Sequence, residues 1–113
     1  MDNSRKRKVA QTLGKELGII MRDMFKKHGK GIVFTLQECT ITKDLSVLRA
    51  YYTFLGDLSK SDMDNLLEQN NQVIRRKLSA KIKDEFRAMP EIRFIYDKAT
   101  EEQEKINALL KRM

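Results

Sequence analysis

The sequence predicts an α+β domain in which a three-stranded sheet is covered on one face by three helices, in the order α-β-β-α-(kink)-α-β. Three patterns carry that reading. Apolar residues alternate with polar ones over residues 32–41, 48–54 and 92–96, the period of two of half-buried strands. They recur at steps of three and four from Val9 to Met24, the stripe of an amphipathic helix. A second helical pattern runs from Met63 to Phe86, between the second and third strands.

Taken in order, the chain opens with a polar, cation-rich run (Arg5, Lys6, Arg7, Lys8) in which Ser4 is placed to cap the first helix. Val9, Leu13, Leu17, Ile20 and Met24 form the apolar stripe of that helix, and Lys8, Lys15, Arg22 and Lys26 form its polar side. Gly14 and Gly18 interrupt the pattern at a cost of up to ~1 kcal/mol each relative to Ala, so close packing on the sheet is expected to hold the helix there. Gly29 and Gly31 end it. In the first strand Ile32, Phe34 and Leu36 alternate and resume at Cys39 and Ile41. The period slips by one near Gln37 and Glu38, which predicts a β-bulge. After the polar corner Thr42, Lys43, Asp44, the second strand places Leu48, Ala50, Tyr52 and Phe54 inward and Arg49, Tyr51 and Thr53 outward.

Beyond Gly56, Ser61 is read as the N-cap of the next helix, with Asp62 and Asp64 in the first turn. Met63, Leu66 and Leu67 form its apolar side until three amides, Asn70, Asn71 and Gln72, precede a further stripe of Ile74, Leu78, Ile82 and Phe86. Two helices, or one sharply kinked helix, are expected, with the break at 70–72. Pro90 stops the helix and leads into a third strand, in which Ile92, Phe94 and Tyr96 face inward. Residues 98–113 form a short charged tail whose Ile106, Leu109 and Leu110 have helical spacing, marginal without a partner. The expected organisation is one domain, 1–97, followed by the tail.

The balance of 41% hydrophobic and 35% charged residues supports a folded domain with a heavily charged surface. No apolar run approaches the ~20 residues of a membrane span, and no hydrophobic leader opens the chain, so a cytoplasmic protein is expected. The single cysteine, Cys39, sits at an inward strand position and reads as a small apolar side chain. The net charge of +7 points to an anionic partner. Its distribution says more: residues 1–30 carry nine basic and three acidic groups and residues 71–88 carry six and two, whereas residues 31–70 carry three and six. The cations are concentrated in two helical stretches. Arg76, Lys83 and Arg87 lie opposite the second apolar stripe, with Arg75 and Lys81 flanking it.

Catalysis needs positioned titratable groups, and one His, one Cys and no carboxylate cluster on a single face do not supply them; the chain reads as a non-enzyme without cofactor or metal. His28, between lysines and glycines, reads as an exposed side chain. Gly29 and Gly31 form neither a Walker spacing nor G-x-G-x-x-G. A different reading of the surface is a protein-interaction module built on the outer sheet face, where Val33, Val47, Tyr51 and Ile95 would form an apolar patch, or on the tail helix.

The element order resembles a type II KH domain, a nucleic-acid-binding fold, although no G-x-x-G tetrapeptide is present. The blocks Thr42-Lys43-Asp44-Leu45-Ser46, Tyr51-Tyr52-Thr53-Phe54-Leu55-Gly56-Asp57, Ile74-Arg75 and Pro90-Glu91-Ile92-Arg93-Phe94-Ile95-Tyr96-Asp97 resemble those of bacterial ribosome-binding factor A. In that family an Ala-x-Gly kink replaces the G-x-x-G loop, and the corresponding positions here are Asn70 and Gln72. The resemblance implies a monomeric, cytoplasmic assembly factor, associated with growth in the cold. It would bind the small (30S) ribosomal subunit through 16S rRNA late in maturation and support processing of the 16S rRNA 5′ end, with no small-molecule substrate and no membrane. Joined to the charge distribution, it makes Arg5, Lys6, Lys8, Lys15, Arg75, Arg76, Lys81, Lys83 and Arg87 the candidate RNA contacts.

Overall fold

The computed structural model describes residues 3–28, 31–82, 89–98, 106 and 109–110. Its elements are α1 (Asn3–His28), β1 (Val33–Ile41), β2 (Val47–Leu55), α2 (Lys60–Ile82) and β3 (Glu91–Tyr96). The sheet has the order β1-β2-β3, with β2 in the centre. β1 and β2 pair antiparallel through a tight corner, whereas β2 and β3 pair parallel, the arrangement that needs a crossover such as α2 between them.

The expected bulge is present: Leu36 pairs with Tyr52, Glu38 with Tyr51, and the register shifts between them. That shift lets Phe34 and Leu36 share the helix-covered face with Cys39 and Ile41, although the two sets differ in parity. Leu48, Ala50 and Tyr52 of β2 and Ile92 of β3 are buried on the same face, beneath Leu13, Leu17 and Met21 of α1 and Met63, Ile74 and Leu78 of α2. Stacked rings extend across the sheet: Phe34 on Tyr52 at 5.0 Å between centroids, with Phe94 edge-on to both at 6.2 Å.

The corner 42–46 is built on Asp44, whose Oδ1 accepts from the Thr42 hydroxyl (2.8 Å), the Ser46 amide (3.1 Å) and the Ser46 hydroxyl (2.7 Å). Those donors, Ser46 foremost, hold its carboxyl below the usual range. The corner also carries Leu45 at φ 62°, a left-handed conformation that this network must stabilise. The carbonyl of Ser46 then accepts the Glu91 amide at 2.8 Å, tying the corner to the start of β3.

Three expectations need correction. Of the two forms expected around Asn70, Asn71 and Gln72, separate helices are not found: α2 is one helix from Lys60 to Ile82, so two helices are described where three were expected. Its buried residues Met63, Leu67, Ile74, Leu78 and Ile82 form one stripe, and the half-buried Asn70 and Asn71 fill the gap at the same spacing. Their amides are satisfied by the Leu66 carbonyl at 2.8 Å and the Ile92 carbonyl at 3.4 Å, so polarity there does not require a break. Second, the α2 cap is Ser59, not Ser61: the Ser59 hydroxyl accepts the Asp62 amide at 3.0 Å and its carbonyl accepts the Met63 amide at 3.0 Å. Third, α1 begins at Asn3, which places Ser4 inside the helix instead of at its cap. Phe86 and most of the tail lie outside the described residues; of the tail, Ile106, Leu109 and Leu110 are helical and exposed.

Candidate nucleic-acid interface

α1 supplies most of the positive charge. Between Asn3 and His28 it carries eight Lys and Arg against Glu16 and Asp23. Both acids are engaged away from most of these cations: Asp23 pairs with Lys27 one turn on (3.2 Å) and Glu16 with Lys81 of α2 (3.4 Å). Arg5, Lys8 and Lys15 are exposed and Lys6 is half-buried. Among the described residues none of these four has an ion-pair partner. Steps of three and four repeat the same helix face every turn, so Lys8, Lys15, Arg22 and Lys26 present charge along one side over the ~27 Å that eighteen residues span.

The α2 candidates divide. Arg76 is exposed and makes no ion pair among the described residues. Arg75 donates from Nη2 to the Met89 carbonyl at 3.1 Å, so it holds the segment entering β3 against α2. Lys81 joins α2 to α1 through Glu16, an exposed pair worth at most about 1 kcal/mol. Lys83 and Arg87 lie outside the described residues. The family kink positions, Asn70 and Gln72, lie inside a continuous helix, where Asn70 is bonded to its own helix and Gln72 is exposed.

The outer sheet face is not the continuous patch the sequence suggests. Val33 is 56% exposed, but Val47, Tyr51 and Ile95 are half-buried and the charged Arg49 and Arg93 stand among them in register. Arg93 pairs with Glu91 of its own strand at 3.3 Å, not across strands. Cys39 is half-buried and lies against Gly14; its thiol is pushed up to about 11, by burial first and by the Glu38 carboxylate second, which makes it a poor nucleophile. His28 is exposed. Among the described residues no group of three or more His, Cys, Asp or Glu is placed to hold a metal, and no helix is long and apolar enough to cross a membrane.

A cationic helix pair over a three-stranded sheet with mixed pairing is the geometry to compare with known proteins, and a family model described as ribosome-binding factor A matches residues 5–110. The chain belongs to the ribosome-binding factor A family. Its relatives include ribosome-binding factor A of Chlorobium phaeobacteroides (strain DSM 266 / SMG 266 / 2430), 35% identical over 108 residues that cover 95% of this chain and 91% of that protein. Ribosome-binding factor A of Pelodictyon phaeoclathratiforme is 36% identical over 107 residues, covering 94% and 88%. The crystal structure of ribosome-binding factor A from Thermus thermophilus shares the fold, with a TM-score of 0.66 at 16% identity over 80% of this chain and 94% of that one. A Thermus thermophilus ribosome-binding factor A homology model fitted into the cryo-EM map of a 30S–RbfA complex gives 0.66 at 17% identity, over 83% and 97%. The family is one of binding factors, and the α+β fold expected of it is the one this chain adopts.

Proposed function

We propose that this protein binds the small ribosomal subunit through 16S rRNA late in maturation and supports processing of the 16S rRNA 5′ end, without catalysing a reaction itself. Membership of the ribosome-binding factor A family supports the reading, as does the complex with 30S in which a Thermus thermophilus member was fitted. The observation that carries it is the series Lys8, Lys15, Arg22 and Lys26 on α1, exposed and without carboxylate partners among the described residues. Phosphate contacts of this kind position a protein without reading sequence, so selectivity would come from the shape of an incompletely assembled rRNA junction. Arg5, Lys6, Lys8 and Lys15 of α1 and Arg76 of α2 make these contacts. Arg75 and Lys81 contribute chiefly by holding α2 in place. The domain acts as a monomer and ends at 97, with residues 98–113 as an appended tail.

Pelleting through a sucrose cushion with isolated small subunits, large subunits and whole ribosomes tests the binding. Preferential recovery with small subunits is expected, and equal recovery with all three would overturn it. Primer extension to the 16S rRNA 5′ end in cells depleted of the protein tests the processing role; extended precursor ends are expected, and mature ends throughout would refute it.

A further inference from the structure

Among the described residues β1 pairs with β2 on one side only, which leaves its other edge open there. Between that edge and α1 runs a groove of about 1350 Å³ that follows the strand from Ile32 to Ile41. Its helix wall carries Lys6, Arg7, Lys15, Arg22 and Lys26, while the strand wall contributes one acid, Glu38. Glu16 and Asp23, the acids of α1, are not part of it. Gly14 and Gly18 stand on its helix side, and a Cβ built on Gly18 would meet nothing within 4 Å.

This charge suits an anion, and two kinds of polymer present one in extended form. Single-stranded RNA is held in such grooves by stacking its bases on open aromatic faces. The aromatic rings of this groove are Phe25 and Phe34. Phe25 is 3% exposed and stacks on Phe34 at 5.0 Å, and Phe34 stacks in turn on Tyr52 at 5.0 Å, so neither ring offers a face to a base. An extended peptide needs a strand edge with unpaired N–H and C=O groups beside room for alternate side chains, and the groove has both. We propose that the groove between α1 and β1 captures an extended acidic segment of a protein partner, which adds to the β1 edge as a fourth strand and turns its carboxylates toward the α1 cations. The bulge between Leu36 and Glu38 divides the edge into two runs of four residues, each long enough to pair with such a segment. The groove shares Lys6 and Lys15 with the rRNA reading, while Arg5, Lys8 and Arg76 lie outside it and separate the two contacts.

Fluorescence anisotropy tests it with three labelled probes: a ten-residue alternating Glu/Val peptide, its Lys/Val counterpart and a ten-nucleotide oligouridine. The Glu/Val peptide is expected to bind at least tenfold tighter than either of the others. Gly18→Glu, which places a carboxylate in open space, and Arg22→Glu are each expected to weaken it at least tenfold, whereas Arg5→Glu and Lys8→Glu, outside the groove, are expected to leave it unchanged. Amide exchange should slow at those β1 residues whose N–H groups do not bond to β2. Tighter binding of oligouridine, loss of which on Gly18→Glu would assign the groove to RNA, overturns the proposal. So does peptide binding that leaves the β1 amides unprotected. Thermal melting establishes that Gly18→Glu is folded; if it is not, Arg22→Glu, at an exposed position, decides the matter alone.

Discussion

The two glycines inside α1 look alike in sequence and differ in the fold, which gives a quantitative test of how α1 sits on β1. Replacing an interior helical glycine by alanine contributes about 0.8–1 kcal/mol through helix propensity alone. At Gly18 the new methyl group enters open groove with no atom within 4 Å, so the full gain is expected. For a chain of 113 residues that corresponds to a rise in Tm of roughly 4 °C. At Gly14 the same methyl would lie 3.1 Å from Cys39 Sγ and 3.3 Å from Cys39 Cβ, tighter than most Cβ contacts. Cys39 must give by a few tenths of an ångström against α1, and overpacking of this kind typically costs about 1–3 kcal/mol, which cancels or exceeds the propensity gain. Gly14→Ala is therefore expected to leave Tm unchanged or lower it, and combining it with Cys39→Ala should recover part of the loss, a coupling a double-mutant cycle would detect. Thermal and urea melts of the three variants suffice. Equal stabilisation by both alanines, or a loss at Gly18, would refute the placement of α1.

Further outcomes follow from the same contacts. Leu48→Ala, at a fully buried position of the central strand, should cost about 2–5 kcal/mol in a urea melt. Arg75→Ala removes the donor to the Met89 carbonyl and should cost about 1 kcal/mol of stability, whereas Arg76→Glu should leave the melt unchanged and weaken pelleting with small subunits. The Cys39 thiol, raised from the ordinary 9.0 to about 11, should alkylate at pH 8 roughly a hundredfold more slowly in the fold than in urea, as followed by mass spectrometry. The sign for stability follows: the unfolded chain loses its proton first, so the stabilisation is complete below pH 9 and is lost as pH rises toward 11, and Cys39→Ala should flatten that decline.

The strands and the bulge are legible in the sequence because a period of two reports directly which face is buried, and a slip in that period has few structural solutions. The corner 42–46 is legible as a turn, but that Leu45 takes the left-handed position depends on the hydrogen bonds Asp44 gathers around it. The sequence allows two helices parted at 70–72 where the fold has one, because the amides of Asn70 and Asn71 resemble an interruption until their partners, Leu66 and Ile92, are known. Ser61 fits a cap by residue type, and only the Asp62 amide's choice of acceptor places the cap two residues earlier, at Ser59. For the candidate interface, helical spacing is enough to gather the α1 cations on a side. It cannot reveal that Arg75 and Lys81 are tied to Met89 and Glu16, since those contacts cross elements. Nor can it reveal the groove, which depends on β1 being the edge of the sheet.

The central claim, that exposed cations on α1 and α2 hold rRNA phosphates of the small subunit, is tested most directly by the salt dependence of subunit affinity. With wild-type protein, log affinity for isolated small subunits should fall linearly with log salt concentration, and reversing Arg5, Lys8, Lys15 and Arg76 to Glu should abolish binding without lowering Tm. An affinity indifferent to salt, or a reversed variant that pellets as well as the wild type, would contradict the account.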